Sequence, residues 1–213
     1  MIKMKIITNY PVAYESEDHI FPWGTMRDNT TDLGFISEVE NYFFAKKIKT
    51  LDIGCAGGQI TIDFKSRGHI AIGIEGSDHN VKHQRGNWAK FHNLNLFTCD
   101  ATKPYIIIDE TNNHVIFDLI TSWDVVEHIN QKDFDCFFGN ILNHMNENSI
   151  FCCSIAPTTD IVEGHVLHQS VFDKKTWMEN ILSKYFIVNE LPFQNKVRYG
   201  DSFHLLLKKK QEL

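Results

Sequence analysis

Three carboxylates stand at the ends of short apolar runs: Asp52 in Leu51-Asp52-Ile53, Glu75 after Ile72-Gly73-Ile74, and Asp100 after Phe97-Thr98-Cys99. A carboxylate at a strand end accepts hydrogen bonds from hydroxyl or ammonium groups, and three on adjacent strands converge on one crevice. Directly after the first comes Gly54-Cys55-Ala56-Gly57-Gly58. Gly54, Ala56 and Gly58 lack bulk at alternate positions, so a ligand can lie against the main chain near the N-terminus of the next helix. Glu75 follows Asp52 by 23 residues, where a Rossmann-like fold places the acidic side chain that takes both hydroxyls of a ribose. Asp100 then lies within reach of an adenine edge. Together these residues offer a binding site for an adenosine cofactor.

Meeting at one crevice requires parallel strands joined by crossover helices. From residue 49 onward the chain alternates short apolar runs with helix-period segments, as such a sheet demands. Strands are expected over 48–53, 70–74, 94–99, 117–122 and 149–155, each apolar enough to be covered on both faces. Helices are expected over 59–67, ending at Gly68, over 78–91, and over 131–145, where Phe134, Phe137, Phe138, Ile141, Leu142 and Met145 share a core-facing side. A helix over 173–185 is followed by strands over 186–191 and 203–208 with only a loop between them, an antiparallel hairpin closing the sheet. Before the first strand, Leu33, Ile36, Val39 and Phe43 repeat at helical spacing over 31–47. The expected fold is α/β: a single-domain, Rossmann-like, seven-stranded, mostly parallel sheet with helices on both faces and an antiparallel C-terminal hairpin. Residues 1–47 read as an N-terminal extension and helix over the active-site mouth, and 48–213 as the cofactor-binding domain.

A chain of 213 residues encloses one sizeable core, and 43% hydrophobic with 23% charged residues is ordinary for a soluble enzyme. The net charge of −6 argues against capture of nucleic acid, which needs clustered Lys and Arg. No apolar run is long enough to span a bilayer, and the first residues carry no signal-peptide pattern, so no membrane partner and a cytoplasmic location are expected. The five cysteines are odd in number and form no CxxC pair, so reduced core thiols are expected.

The motif LDIGCAGG resembles the first motif of class I S-adenosylmethionine-dependent methyltransferases of the small-molecule type, with Ala56 in place of the middle glycine. The resemblance continues through IGIEGSD, TCDAT and FDLITSWDVVEHI, over roughly 51–155. It implies S-adenosyl-L-methionine as cofactor and S-adenosyl-L-homocysteine as product. Gly54, Cys55, Ala56 and Gly58 would line the methionine and ribose, Glu75 and Gly76 the ribose, Asp100 and Ala101 the adenine, Asp52 the methionyl ammonium, and Trp123 the same site. The fourth-strand ending lacks the (N/D)PPY segment of amino-methylating nucleic-acid enzymes. With the acidic net charge, this makes O-methylation of a small-molecule or saccharide acceptor the leading implied function, with protein and lipid acceptors open. A catalytically degenerate cofactor-binding domain and a nicotinamide-dependent oxidoreductase are the alternatives, the latter weakened because Ala56 takes the second glycine position of GxGxxG.

Methyl transfer from a sulfonium is an in-line displacement, so alignment and exclusion of water supply much of the rate, and a base is needed only if the acceptor carries a proton. Asp124, Glu127 and His128 follow the fourth strand and face the mouth; His128 reads either as a general base or as a structural side chain at a helix start. His165 and His168, in Gly164-His165-Val166-Leu167-His168-Gln169, border the same crevice. Two histidines three apart can ligate a metal, but no spacing fixes a ligand set, and no metal is assigned. In the resembled family such an N-terminal extension covers the acceptor pocket, which makes Trp23 and Arg27 candidate substrate contacts.

Overall fold

The computed structural model describes residues 3–211; the outermost two residues at each end, where the signal-peptide reading begins and the second domain boundary ends, lie outside the described residues. Strand β1 (Lys5–Thr8) pairs antiparallel with β5 (Tyr105–Ile108) in a small ribbon that the sequence pattern does not reveal. The main sheet holds β2 (Lys49–Ile53), β3 (Ile70–Glu75), β4 (Leu96–Thr98), β6 (Leu119–Trp123), β7 (Ile150–Ile155), β10 (Phe186–Glu190) and β11 (Phe203–Lys209). Their order is β10-β11-β7-β6-β2-β3-β4. The strands from β7 to β4 run parallel, and β11 runs antiparallel to both β7 and β10. The expected fold is the one observed. Strand order reverses between β2 and β6, and in an open α/β sheet that switch point opens a crevice at the carboxyl ends of the strands.

Helices α1 (Glu17–Ile20), α2 (Trp23–Arg27) and α3 (Leu33–Tyr42) precede β2, and α4 (Gln59–Ser66) follows it. Asp32 caps α3 by accepting from the Phe35 amide at 2.9 Å, and Phe35, Ile36 and Val39 pack against Phe64 of α4 and the sheet. The helix ends at Tyr42, short of the expected 47, because Phe44 and Ala45 both take positive φ. On the other face α7 (Phe134–Asn143) buries Phe134, Phe137, Phe138 and Ile141, the stripe assigned to the core. The last helical segment is irregular: α8 (Lys174–Thr176) runs into a wide π turn at Trp177–Ile181 and a tight one at Leu182–Lys184, burying Trp177, Ile181 and Leu182. A second small hairpin pairs β8 (Ile161–Val162) with β9 (His165–Val166).

The helix expected over 78–91 is instead two four-residue pieces, α5 (His79–Lys82) and α6 (Trp88–Phe91). Between them Gln84 and Gly86 take positive φ. The Asn87 amide donates to Gly57 O at 3.1 Å, and a Cβ on Gly86 would stand 2.8 Å from that oxygen. Arg85 turns its guanidinium to the carbonyls of Thr25 (3.0 Å) and Asp28 (2.9 Å). Contacts with remote backbone therefore outweigh local helical periodicity here.

His144, fully buried after α7, accepts from the Ile107 amide at Nε2 (3.0 Å) and donates from Nδ1 to Asn140 O (2.7 Å), which fixes the neutral tautomer. Burial, reinforced by His114 and opposed by the Asn140 bond, lowers its pKa to about 4. A depressed histidine stabilises the fold above its unfolded pKa and loses that contribution as pH falls. Wild type is expected to lose about 2 kcal/mol from this group between pH 7 and pH 5. In urea titrations at both pH values, His144→Gln should be less stable at pH 7 and should lack that increment; an unchanged pH dependence would contradict the assignment.

Candidate active site

At the carboxyl ends of β2, β3 and β6 lies a cavity of about 770 Å³, within the roughly 300–1,000 Å³ of small-ligand sites. One wall is built by the glycine-rich turn. Gly54 (φ 74) lines it with Ala56, and a Cβ on Gly54 would overlap Val125. Ala56, which replaces the family's middle glycine, adopts φ 42. Its carbonyl accepts from Asn80 Nδ2 (2.8 Å) and Trp88 Nε1 (2.6 Å), so three side-chain and backbone contacts hold this left-handed residue when its amide bond to Glu75 is included.

Glu75 lines the cavity, and its carboxylate accepts from the Ala56 amide (2.8 Å), the Ser77 amide (3.2 Å) and, most weakly, the Thr25 hydroxyl (3.3 Å). Burial pushes its pKa above the usual carboxylate range against those bonds. Gly76, Asp100 and Ala101 share the same wall. Asp100 is braced by Thr102, whose amide (2.9 Å) and hydroxyl (2.6 Å) donate to Oδ1. Over this wall runs a segment absent from the sequence-based candidates: Tyr10 O accepts from the Asp100 amide (3.0 Å), and the Ala13 amide donates to Gly76 O (2.9 Å).

Three of the cofactor candidates lie behind the wall. Asp52 is buried and accepts from Thr121 Oγ1 at 2.7 Å; burial, opposed by that bond, raises its pKa to about 7. Cys55 packs with Trp88 and Leu96, with its sulfur beside Gly73, so its side chain points away from the cavity. Gly58 (φ 84) starts α4 and lets Leu96 approach, a packing role. Trp123 reaches the cavity, yet its indole packs edge-on against Phe35 at 5.0 Å on the α3 side.

Asp18, Trp23, Arg27, Asp124 and His128 also line the cavity. Phe21 stacks on Trp23 (5.8 Å between centroids), and the Arg27 guanidinium lies 3.3 Å over the Trp23 ring. Asp124 has φ 53 and is pinned by Ser154, whose Oγ accepts from its amide at 2.9 Å and donates to its carboxylate. His128 Nδ1 meets the Asp18 carboxylate at 3.0 Å, across 110 residues of sequence. Burial opposes its charging, but Asp18, Glu127 and Asp160 outweigh it and raise the pKa to about 9. The Asp18 pairing therefore favours the protonated imidazole, a shift that neither sequence reading of His128, as a general base or as a structural side chain, contained.

His168 packs edge-on against His128 at 4.7 Å but does not line the cavity. His165 also stands outside it, stacked on Phe21 (4.9 Å) and bonded to Glu17 (3.1 Å). Glu127 is fully buried; Oε1 accepts from the Ala156 amide at 2.8 Å, and Oε2 has no partner. One ligand atom from each of Glu127, His128 and His168 lies within 4.8 Å of the others. Asp18 and Arg198, both on the cavity, escaped sequence reasoning: Asp18 sits in a short helix and Arg198 in a loop, each among other charged residues with no motif around it.

Residues 26–190 match a family model described as a methyltransferase domain. The ubiquinone biosynthesis O-methyltransferase of Pelagibacter ubique is 35% identical over 92 residues, covering 42% of this chain and 35% of that protein. The chain thus spans about a third of that curated relative's length. Among solved structures, a TehB-like S-adenosylmethionine-dependent methyltransferase of Corynebacterium glutamicum superposes with a TM-score of 0.57 at 15% identity, covering 91% of this chain and 97% of that one. Magnesium protoporphyrin IX methyltransferase of Synechocystis, with bound S-adenosylhomocysteine, gives 0.56 at 14% identity over 92% and 96%. No helix among the described residues is long and apolar enough to cross a membrane.

Proposed function

This chain belongs to the methyltransferase-domain family, and from that premise we propose that it uses S-adenosylmethionine to methylate a hydroxyl of a small-molecule or saccharide acceptor. The oxidoreductase alternative falls away with the family. What carries the reading is one cavity lined by Gly54, Glu75 and Asp100 together with Asp18, Trp23 and His128. The curated relative's name supports oxygen as the methylated atom.

In this reading Glu75 takes the ribose hydroxyls, the Asp100–Ala101 turn takes the adenine, and Gly54 and Ala56 admit the methionine moiety. Asp52 stands behind the wall, bonded to Thr121, and would favour the ammonium only in its ionised form, which burial disfavours. Residues 10–28 cover the site and exclude water, with Trp23 and Arg27 touching the acceptor. The acceptor hydroxyl gives its proton to solvent, His128, oriented by Asp18, donates a hydrogen bond to the resulting oxyanion, and that oxygen takes the methyl group as the sulfur leaves as the neutral thioether. Incubating the protein with labelled S-adenosylmethionine and a panel of phenols, hydroxy acids and sugars should give a product one methyl heavier on oxygen. Cofactor binding with no turnover across the panel would favour the non-catalytic alternative.

A second reading concerns a cation. The unpartnered Glu127 Oε2 beside two imidazoles fits a divalent metal, against the sequence-based assignment of none. Of the three only His128 lines the cavity, so a metal bound there would supply positive charge from behind the cavity lining. His128 must shed its second proton to ligate, so proton and metal compete for it. Chelator treatment is expected to lower turnover at least about tenfold, with recovery on adding magnesium, manganese or zinc; turnover indifferent to chelator would remove the metal.

A further inference from the structure

The loop 191–202 between β10 and β11 is firmly seated. The amides of Gln194 and Asn195 donate to Glu38 at 3.0 and 2.9 Å, and Val197 is buried in the core that contains Phe35. This seating carries the Arg198 side chain inward to the cavity, where it is mostly buried. Its Nη2 pairs with Asp28 and lies 3.4 Å from Trp123 O, while Nε stands 3.5 Å from the Asp124 carboxylate without a hydrogen bond. Ser154 holds Asp124 from the other side in its left-handed backbone. Asp28 in turn passes the connection on: its carbonyl accepts from the Gly57 amide at 3.1 Å and from Arg85 at 2.9 Å. One guanidinium thus joins the C-terminal hairpin, the N-terminal cover, the end of β6 and, through Asp28, the glycine-rich turn.

We propose that Arg198 is a positioning residue for methyl transfer, a clamp that locks Asp28 of the N-terminal cover against Asp124 and so closes the cofactor cavity. A buried charge pair of this kind is expensive to break from one side, because the remaining carboxylate is left uncompensated. Removing the guanidinium leaves Asp28 and Asp124 facing each other as like charges. The expected response is outward movement of the cover, not loss of the sheet. A lysine at 198 would keep the charge but lose the fork that reaches two carboxylates, so it should restore only part of the function.

The clamp rests on the methyltransferase reading for its link to catalysis, and two measurements separate the two ideas. Hydrogen exchange on the ligand-free protein should show amides in 24–30 and 54–60 exchanging at least tenfold faster in Arg198→Gln and in Asp28→Asn, with strands β2 and β7 unchanged. Calorimetry with S-adenosylhomocysteine should show each substitution weakening binding about tenfold. The double variant should be no weaker than the worse single, because both remove one interaction, and Arg198→Lys should recover part of the loss. Unchanged exchange in the cover, acceleration across the whole sheet, or additive losses in the double variant would each overturn the clamp. If Arg198→Gln does not fold, Asp28→Asn alone decides through the exchange pattern. Failure of the wild type to bind S-adenosylhomocysteine while the exchange result holds would count against the cofactor reading and leave the clamp standing as a closure of the same cavity.

Discussion

Glu75→Ala is expected to weaken S-adenosylhomocysteine binding by about 10²- to 10³-fold. A carboxylate taking two ribose hydroxyls makes two charge-assisted hydrogen bonds, each contributing about 1.5–2 kcal/mol, and about 1.4 kcal/mol is tenfold in affinity. The structure shows how those bonds can form. The Ala56 and Ser77 amides orient the carboxylate, and the Thr25 hydroxyl makes the longest contact, at 3.3 Å, the one a ribose hydroxyl would most readily replace. Glu75→Gln should fall between wild type and alanine, because one oxygen and the charge are lost while the shape remains. Thermal unfolding must be recorded beside calorimetry, since the alanine variant also strands two buried amide donors. Affinity unchanged in a folded Glu75→Ala protein would reduce Glu75 to a brace between the glycine turn and the N-terminal cover.

The second large effect is expected at His128. Replacement by asparagine should lower turnover about 10²- to 10³-fold, the usual range for removing one positioned hydrogen-bond donor from an oxyanion, while S-adenosylhomocysteine affinity changes less than about threefold. The expected separation rests on different partners: Glu75 is held by the Ala56 and Ser77 amides, whereas His128 pairs with Asp18. Asp18→Asn should give a smaller loss in the same direction, because it removes the orienting partner and leaves the imidazole. Equal loss of cofactor affinity in His128→Asn would mean that the histidine supports the cavity as a whole. Full turnover in that variant would move the donor role elsewhere.

The glycine-rich turn and the three strand-end carboxylates were legible because their information is local. Asp52 to Gly58 is one strand and one turn, Glu75 and Asp100 end the next two strands, and period-2 and period-3.6 patterns place all three strands in one parallel sheet. Even there, local reading could not tell which small residue faces the ligand. Gly54 and Ala56 line the cavity, whereas Cys55 and Gly58 face α6 and β4, because each residue's backbone torsions set its direction. The helix over 78–91 failed for a related reason: its middle is claimed by Gly57, Thr25 and Asp28, residues more than 25 positions away.

The rest of the cavity lining was mostly illegible. His128 was found as a candidate, but its charge state depends on Asp18, and His168 joins it only through the loop after β9. Arg198 reaches Asp28 across 170 residues. By itself, the sequence determined the sheet, the cofactor turn and the three carboxylates, since hydrophobic periodicity and adjacent motif residues are properties of neighbouring positions. Only the tertiary structure decided which charges meet across the cavity and hence which groups are protonated there, because an ion pair between distant loops leaves no pattern in either one.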